Sequence, residues 1–372
     1  MSATHKHAIR IDRGKPLSAE PRTGHNRYHP DIAPVFEVGE GEEVVLETRD
    51  ACDGQIPPGC NVADLATLDS GRIHPLTGPV FVKGAEEGDM LEVEFLDIAP
   101  QPTAFSAIVP GLGFLRDVMT TPFLVHWTIR DGWATAPEIP GVRIPGAPFM
   151  GISATAPSAQ KLKEWTEREQ RALDAGGFVL PPDAAGAVPA GRCGLEGLRT
   201  LPPRENGGNF DVKQLTKGAK LLLPVFAKGA LFSTGDAHFA QGDGEVCVTA
   251  VEMGATVAVR FKIHKALANK RTFAGPVFSH PGYFADPKIA APENFLGVMG
   301  MPINDTGEIE SENLTLAARN ATLNMIALLQ ERGFSREQAY IICSVAVDLR
   351  ISNVVDVPNY VVSALLPERI FG

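Results

Sequence analysis

The run STGDAHFAQGDGE, residues 233–245, holds two closely spaced pairs of potential ligands: Asp236 with His238, and Asp243 with Glu245. Residues i and i+2 of an extended chain point to one face, so each pair can present two side chains to a single point. Gly242 and Gly244 allow a sharp turn that brings the pairs together. Three carboxylates and one imidazole suit a divalent cation, with zinc, manganese or iron favoured over calcium because the spacing is not that of an EF-hand loop. The same residues also suit a polar hairpin tip whose aspartates cap turns, and spacing alone leaves both readings open.

Further polar residues stand in turn-rich surroundings elsewhere: His25-Asn26-Arg27, His29-Pro30-Asp31, Asp50, Asp53-Gly54-Gln55, Asn206-Gly207-Gly208-Asn209 and Asp211-Val212-Lys213. Taken singly, each reads as a loop residue before it reads as a ligand. Several common chemistries are missing from the sequence. It has no GxSxG elbow, no P-loop, no HExxH and no long Ser/Gly-rich run of the kind a Ser-Ser-Lys triad uses. Gly111 and Gly113 begin a dinucleotide-like fingerprint, but Arg116 occupies the third glycine position.

The elements that must position these residues are mostly strands. Gly (37) and Pro (30) together make up about 18% of the 372 residues, above the usual ~12%, which points to short strands joined by tight turns. Residues 42–49 and 90–98 alternate apolar and acidic side chains behind Gly41-Glu42 and Gly88-Asp89 turns, as half-buried strands do. Three more strands are expected at KLLLPVF, EVCVTAVE and ATVAVRFKI. One helix is expected over AQKLKEWTEREQRALDA, ending at Gly176-Gly177. Two more close the chain: one from Ser311 to Arg332, stopped by Gly333, and one opened by a Ser335/Gln338 capping box and running to about Val347. Pro276, Pro281, Pro287, Pro292 and Pro302 mark a loop-rich stretch between the strands and these helices.

The expected class is β-rich mixed α+β, with a sandwich- or barrel-like β core, a loop-rich insertion and C-terminal helices. The units expected are 1–100, a β-unit; 101–205, a loop-rich insertion with one helix; 206–310, a β-unit carrying the motif; and 311–372, a helical and strand segment. Together they form one intertwined body.

Hydrophobic residues at 44% and charged residues at 21% rule out intrinsic disorder. The net charge is −10 and no basic face is evident, so no nucleic-acid partner is expected. No apolar run approaches the ~18 residues of a membrane span, and the polar start lacks the apolar core of a secretory signal. Cys52, Cys60, Cys193, Cys247 and Cys343 are odd in number and form no CxxC, so neither disulfides nor a thiolate zinc site is indicated. A cytoplasmic protein without membrane partners is expected.

At its polar motifs the sequence resembles the acetamidase/formamidase family, with formamidase-like members nearest. The strongest block is PPRENGGNFDVKQLTKGAKLLLPVFAKGALFSTGDAHFAQGDGEV, residues 202–246; others are HNRYHPDIAPVFEVGEGEEVVLETRDACDGQ, TGPVFVKGAEEGDMLEVEFLDI, ISNVVDVPN and LLPERIF. They span nearly the whole chain. Asp236, His238, Asp243 and Glu245 match the family's central motif, and Asp50, Gln55, Asn209 and Asp211 its other polar positions. The resemblance implies hydrolysis of short aliphatic amides, a homo-oligomer built on trimers, and metal dependence with zinc as the metal. The His25 and Pro202 blocks look formamidase-like, whereas Asp348-Leu349-Arg350-Ile351-Ser352 looks acetamidase-like, so formamide and acetamide both stand as substrates.

On this reading Asp236, His238 and Asp211 hold the metal, and Glu245 shuttles a proton between water and the leaving nitrogen. Asp243 is a further ligand or acid–base group, Lys213 stabilises the oxyanion, and Asn209, Gln55 and Asp50 bind substrate. Three alternatives stand beside it. One is a related nitrogen substrate such as a urea-like compound, and another is a non-catalytic binding protein on the same scaffold. The third is a nitrilase-like Cys-Glu-Lys mechanism through Cys247, which on an alternating strand shares a face with Glu245; Cys247, Thr249 and Val251 equally read as one side of a packed strand.

Overall fold

The computed structural model describes residues 7–273, 275–283 and 294–372; Pro287 and Pro292 of the expected loop-rich stretch lie outside them. Strong alternation in Met90–Pro100 and Ala255–His264 makes these the long central strands of a six-stranded sheet, ordered His7–Ile9, Glu43–Glu47, Ala255–His264, Met90–Pro100, Lys220–Pro224 and Val277–Ser279. Leu91, Val93, Phe95, Val257, Val259 and Phe261 turn inward from it and are buried. Glu43–Glu47 departs from clean alternation, because Val45 is covered as fully as Val44 and Leu46.

A larger sheet of eleven strands faces this one. Along its main path run Arg143–Pro145, Trp133–Thr135, Phe123–Arg130, Thr103–Ile108, Glu252–Met253, Phe232–His238, Phe149–Ala154 and Gly207–Asn209. Leu76–Val82 also pairs with Phe232–His238. One continuous apolar cluster joins the two sheets, and Phe232 meets Phe261 across it with ring centroids 5.2 Å apart. The β-rich mixed α+β expectation holds; among the described residues the sheets do not close into a barrel.

Two expectations fail here. Residues 103–154, read as part of a loop-rich insertion, supply five strands to the large sheet. Their prolines fall in the turns between short strands, except Pro145, which ends the edge strand Arg143–Pro145. EVCVTAVE is not a strand. Residues 245–251 form turns, with Glu245 at φ 42° and Val248 at φ 78° in the left-handed region, so no alternating face exists there. Side-chain period alone could not separate a buried turn from a buried strand.

The helices form as their caps dictate. Ala159–Asp174 starts at Ser158, whose side chain accepts from the Lys161 amide, and Arg336–Ala346 starts with the Ser335/Gln338 capping box. Leu314–Glu331 covers a three-stranded sheet of Phe295–Gly300, Val361–Pro367 and Asp348–Asn353. Arg336–Ala346 is buried continuously from Ala339 to Val345 and braces the loop that follows Phe232–His238. The Gly242 amide donates to the Ser344 carbonyl (2.8 Å), the Cys247 amide to Ser344 Oγ (3.1 Å), and the Tyr340 hydroxyl to the Val246 carbonyl.

Candidate metal and catalytic centre

Phe232–His238 lies in the middle of the large sheet, and all seven of its residues are buried. The motif is therefore interior, not the polar hairpin tip that its spacing also allowed. His238 sits directly opposite Glu252 in the antiparallel pairing, which brings Nε2 to 3.1 Å from Glu252 Oε2. Asp236 Oδ1 is 3.3 Å from the same nitrogen and Glu245 Oε1 4.0 Å. Two overlapping sets, Asp211/His238/Glu245 and Asp236/His238/Glu252, each gather ligand atoms within 4.8 Å of one another.

The backbone is bent to achieve this. Asp211, Asp236 and Glu245 have φ of 49°, 55° and 42°, a left-handed conformation that non-glycine residues adopt at a cost of about 1–3 kcal/mol when strained. Asp236 is thus aimed at its point by a distortion within a strand, and simple i, i+2 alternation is not what does it. Gly151 on the neighbouring strand leaves room for the carboxylates: a Cβ there would stand 2.6 Å from Asp211 Oδ1 and 2.9 Å from Asp236 Oδ2. Gly244 does turn at φ 110°, as expected, but Gly242 is required for closeness, since its Cβ would lie 2.1 Å from the Val347 carbonyl.

His238 Nδ1 lies 2.9 Å from Gln241 Oε1, and the Gln241 amide nitrogen donates to the Asp211 carbonyl at 2.8 Å. Asp211 Oδ1, His238 Nε2 and Glu252 Oε2 are buried with no well-formed hydrogen bond among the described residues. Buried polar atoms are almost always satisfied. Three orphans of ligand type, on two carboxylates and an imidazole, fit a divalent cation of the zinc, manganese or iron class.

Burial and the Asp236 charge push the Asp211 carboxyl up to about 7. Burial and then Asp211 push Glu245 well above the usual carboxylate range, and burial also raises Glu252. Burial opposes ionisation of Asp236 too, but His74 and His238 outweigh it and hold its carboxyl down to about 2. Burial would lower His238; the charges of Glu252 and Asp236 raise it well above an ordinary imidazole.

Of the residues singled out in the sequence, Asp211, Asp236, His238 and Glu245 meet. Asp243 stands one step away, bound to Asp348 through its own amide (3.1 Å) and to Gln214 (3.4 Å). Lys213 is ion-paired with Asp348 and lies 3.8 Å from Asp243, which makes it a tie to the C-terminal strand. Asn209 is on the strand beside Ile152, with its Oδ1 buried and unpartnered among the described residues. Asp50 caps a turn, accepting from the Cys52 and Gly54 amides, and lines a cavity of about 370 Å³ that also touches Glu252. Gln55 commits its amide to Cys52 and Asp69, locking that loop. Cys247 is buried against Ala107 and Thr249, and burial pushes its thiol up.

Two residues were not anticipated. Glu252 had a signal: it is the one charge in the apolar run Val246–Met253, and a buried acid needs a partner. His74, which helps hold Asp236 ionised, had none.

Fold and site together define a β-rich protein with a buried carboxylate–histidine cluster that could hold a metal ion. The profile of the Acetamidase/Formamidase family matches residues 10–372. An acetamidase of Mycolicibacterium smegmatis is 34% identical over 89% of this chain and 87% of its own length. A formamidase of Methylophilus methylotrophus is 31% identical over 98% and 94%. The solved structure of a gamma lactamase from Delftia acidovorans superimposes with a TM-score of 0.91 at 33% identity, covering 98% of this chain and 93% of that one. The chain belongs to the acetamidase/formamidase family. It is a hydrolase acting on linear amides.

Proposed function

We propose that this chain hydrolyses short aliphatic amides, formamide and acetamide first, to ammonia and the carboxylic acid, with zinc at the buried centre. The observation that carries this is the convergence of Asp211, Asp236, Glu245 and Glu252 on the His238 imidazole in a chain of this family. Asp236, His238 and Glu252 would hold the cation, since both carboxylates lie within 3.3 Å of His238 Nε2 and all three side chains are 0–4% exposed. Asp211 completes the surround. Bound zinc supplies Lewis acidity toward the amide carbonyl and lowers the pKa of water beside it. Glu245 is the more open carboxylate, with its side chain 15% exposed, and takes the proton from water and delivers it to the departing nitrogen. Asn209 Oδ1 accepts from the substrate amide N–H.

The likeness to the Delftia gamma lactamase supports a second substrate reading, a five-membered cyclic amide in the same site. We further read the enzyme as cytoplasmic and as a trimer-based self-association; sedimentation as a monomer would remove the assembly. No helix among the described residues is long and apolar enough to cross a membrane.

The deciding measurement is ammonia release from formamide, acetamide, propionamide and urea, with and without prior chelation, beside ring opening of a γ-lactam. Release from formamide or acetamide that chelation abolishes and zinc restores is expected. Release from urea alone, or from none of the four, would overturn the assignment.

A further inference from the structure

Gln241 is 6% exposed and lies three residues beyond His238, between the end of the central strand and the segment that carries Asp211. Its two amide atoms are used in opposite directions: Oε1 faces His238 Nδ1 at 2.9 Å, and Nε2 donates to the Asp211 carbonyl at 2.8 Å. A backbone carbonyl only accepts. The amide nitrogen must therefore point at Asp211, because the reverse orientation would set two oxygens against each other in a site without room for exchange. Oε1 must then point at the imidazole, and an amide oxygen also only accepts, so Nδ1 has to carry the hydrogen. In neutral His238 this leaves Nε2 bare, and Nε2 is the nitrogen 3.1–3.3 Å from Glu252 and Asp236.

We infer that Gln241 is a positioning residue: through the Asp211 carbonyl it dictates the tautomer of His238 and keeps Nε2 turned to the cation. This rests on the zinc reading above. The Asp211 backbone, itself in the left-handed region at φ 49°, is what aims that carbonyl, so the loop holding one acid sets the donor atom of the histidine. Partners of this kind on a ligating histidine change metal affinity by about 10–100-fold.

Two variants separate positioning from packing. Gln241→Leu removes both contacts at similar volume; Gln241→Glu keeps an acceptor for Nδ1–H. Zinc affinity is read by competition with a chromophoric chelator, and the tautomer by the ¹⁵N shifts of His238 in zinc-free protein at a pH high enough to deprotonate the ring, which Glu252 and Asp236 otherwise keep charged. We expect Gln241→Leu to weaken zinc by about 10–100-fold and to mix the two tautomers, while Gln241→Glu keeps Nδ1 protonated and regains most of the affinity. Zinc affinity within about twofold of the parent and an unchanged tautomer in Gln241→Leu would overturn the inference, even if that variant melts lower. Failure of the parent itself to bind zinc would instead sink the reading of the centre, and the ¹⁵N shifts would still decide whether Gln241 governs His238.

Discussion

Four carboxylates around one fully buried imidazole make a charge problem at the residue scale, since burial of an unpaired charge costs several kcal/mol. The centre divides its acids: Asp236 is held ionised by His74 and His238, while Asp211, Glu245 and Glu252 are pushed upward. Groups whose environments push them apart in this way are suited to separate tasks. Replacing Glu245 by Gln should reduce turnover by about 10²–10⁴-fold with zinc content unchanged, measured as ammonia release beside metal analysis. Replacing Glu252 by Gln should instead lose zinc and turnover together. Equal loss of zinc from both variants would make Glu245 a ligand. Gly151→Ala drives a methyl into Asp211 and Asp236 and should weaken zinc binding without altering any ligand.

At the scale of elements, the loop from Phe239 to Val251 decides whether the centre exists, because it carries Gln241, Asp243 and Glu245. It is fixed by the helix Arg336–Ala346 and by the Lys213–Asp348 pair at the start of the next strand. Side chains of the pair are only 14% and 10% exposed, and without Lys213 the Asp348 carboxylate keeps only Arg350 at 3.4 Å and the Asp243 amide at 3.1 Å. Lys213→Met should lower the unfolding free energy by about 2 kcal/mol, and adding Asp348→Leu should restore part of it in denaturant titrations. An oxyanion role for Lys213 would show instead as a fall in kcat at unchanged stability. Gly242→Ala should destabilise strongly as well, having only backbone atoms of Val347 and Cys343 to press against.

How far these elements were legible follows from where their signals lie. Caps at Ser158 and Ser335 and the alternation of Met90–Pro100 are local, and the structure keeps them. The Asp236/His238 pairing was legible from its match to the family motif; the spacing picked the right residues but not the left-handed turn at Asp236 that aims its carboxylate. Glu252 joins them only because a hairpin register sets it opposite His238, and register is not written in either strand alone. The turns at 245–251 are apolar because, Val248 aside, their apolar side chains are buried, and buried turns imitate strands.

For the whole molecule, acid stability offers a test at a group outside the proposed ligands. His25 is wholly buried, with Nδ1 2.6 Å from the Arg27 carbonyl and Nε2 2.7 Å from Ser233 Oγ, and burial holds its pKa down to about 4 against the ordinary 6.5. The unfolded chain therefore binds the extra proton first. This stability is complete above pH 6.5 and is lost as the pH falls toward 4, amounting to about 3 kcal/mol. Guanidinium titrations from pH 7 to 4.5 should show the loss, and His25→Asn should flatten it; an identical slope in the variant would refute the assignment.

His25 meets Ser233 across 208 residues, Leu115 meets Tyr340 across 225, and Arg13 meets Thr256 across 243. Chains dominated by such distant pairings fold slowly. The Tyr340 hydroxyl, taking the Leu115 amide and giving to Val246, is a knot that can be tied only after nearly the whole chain is in hand. The loop, its helix and the central strand lie within residues 232–346, but the strand that pairs with it, Leu76–Val82, and the Leu115 amide come from far earlier in the chain. Turnover in this protein is therefore a clock for finished folding: during refolding it should stay silent through the early gain of secondary structure and appear with the last long-range closure.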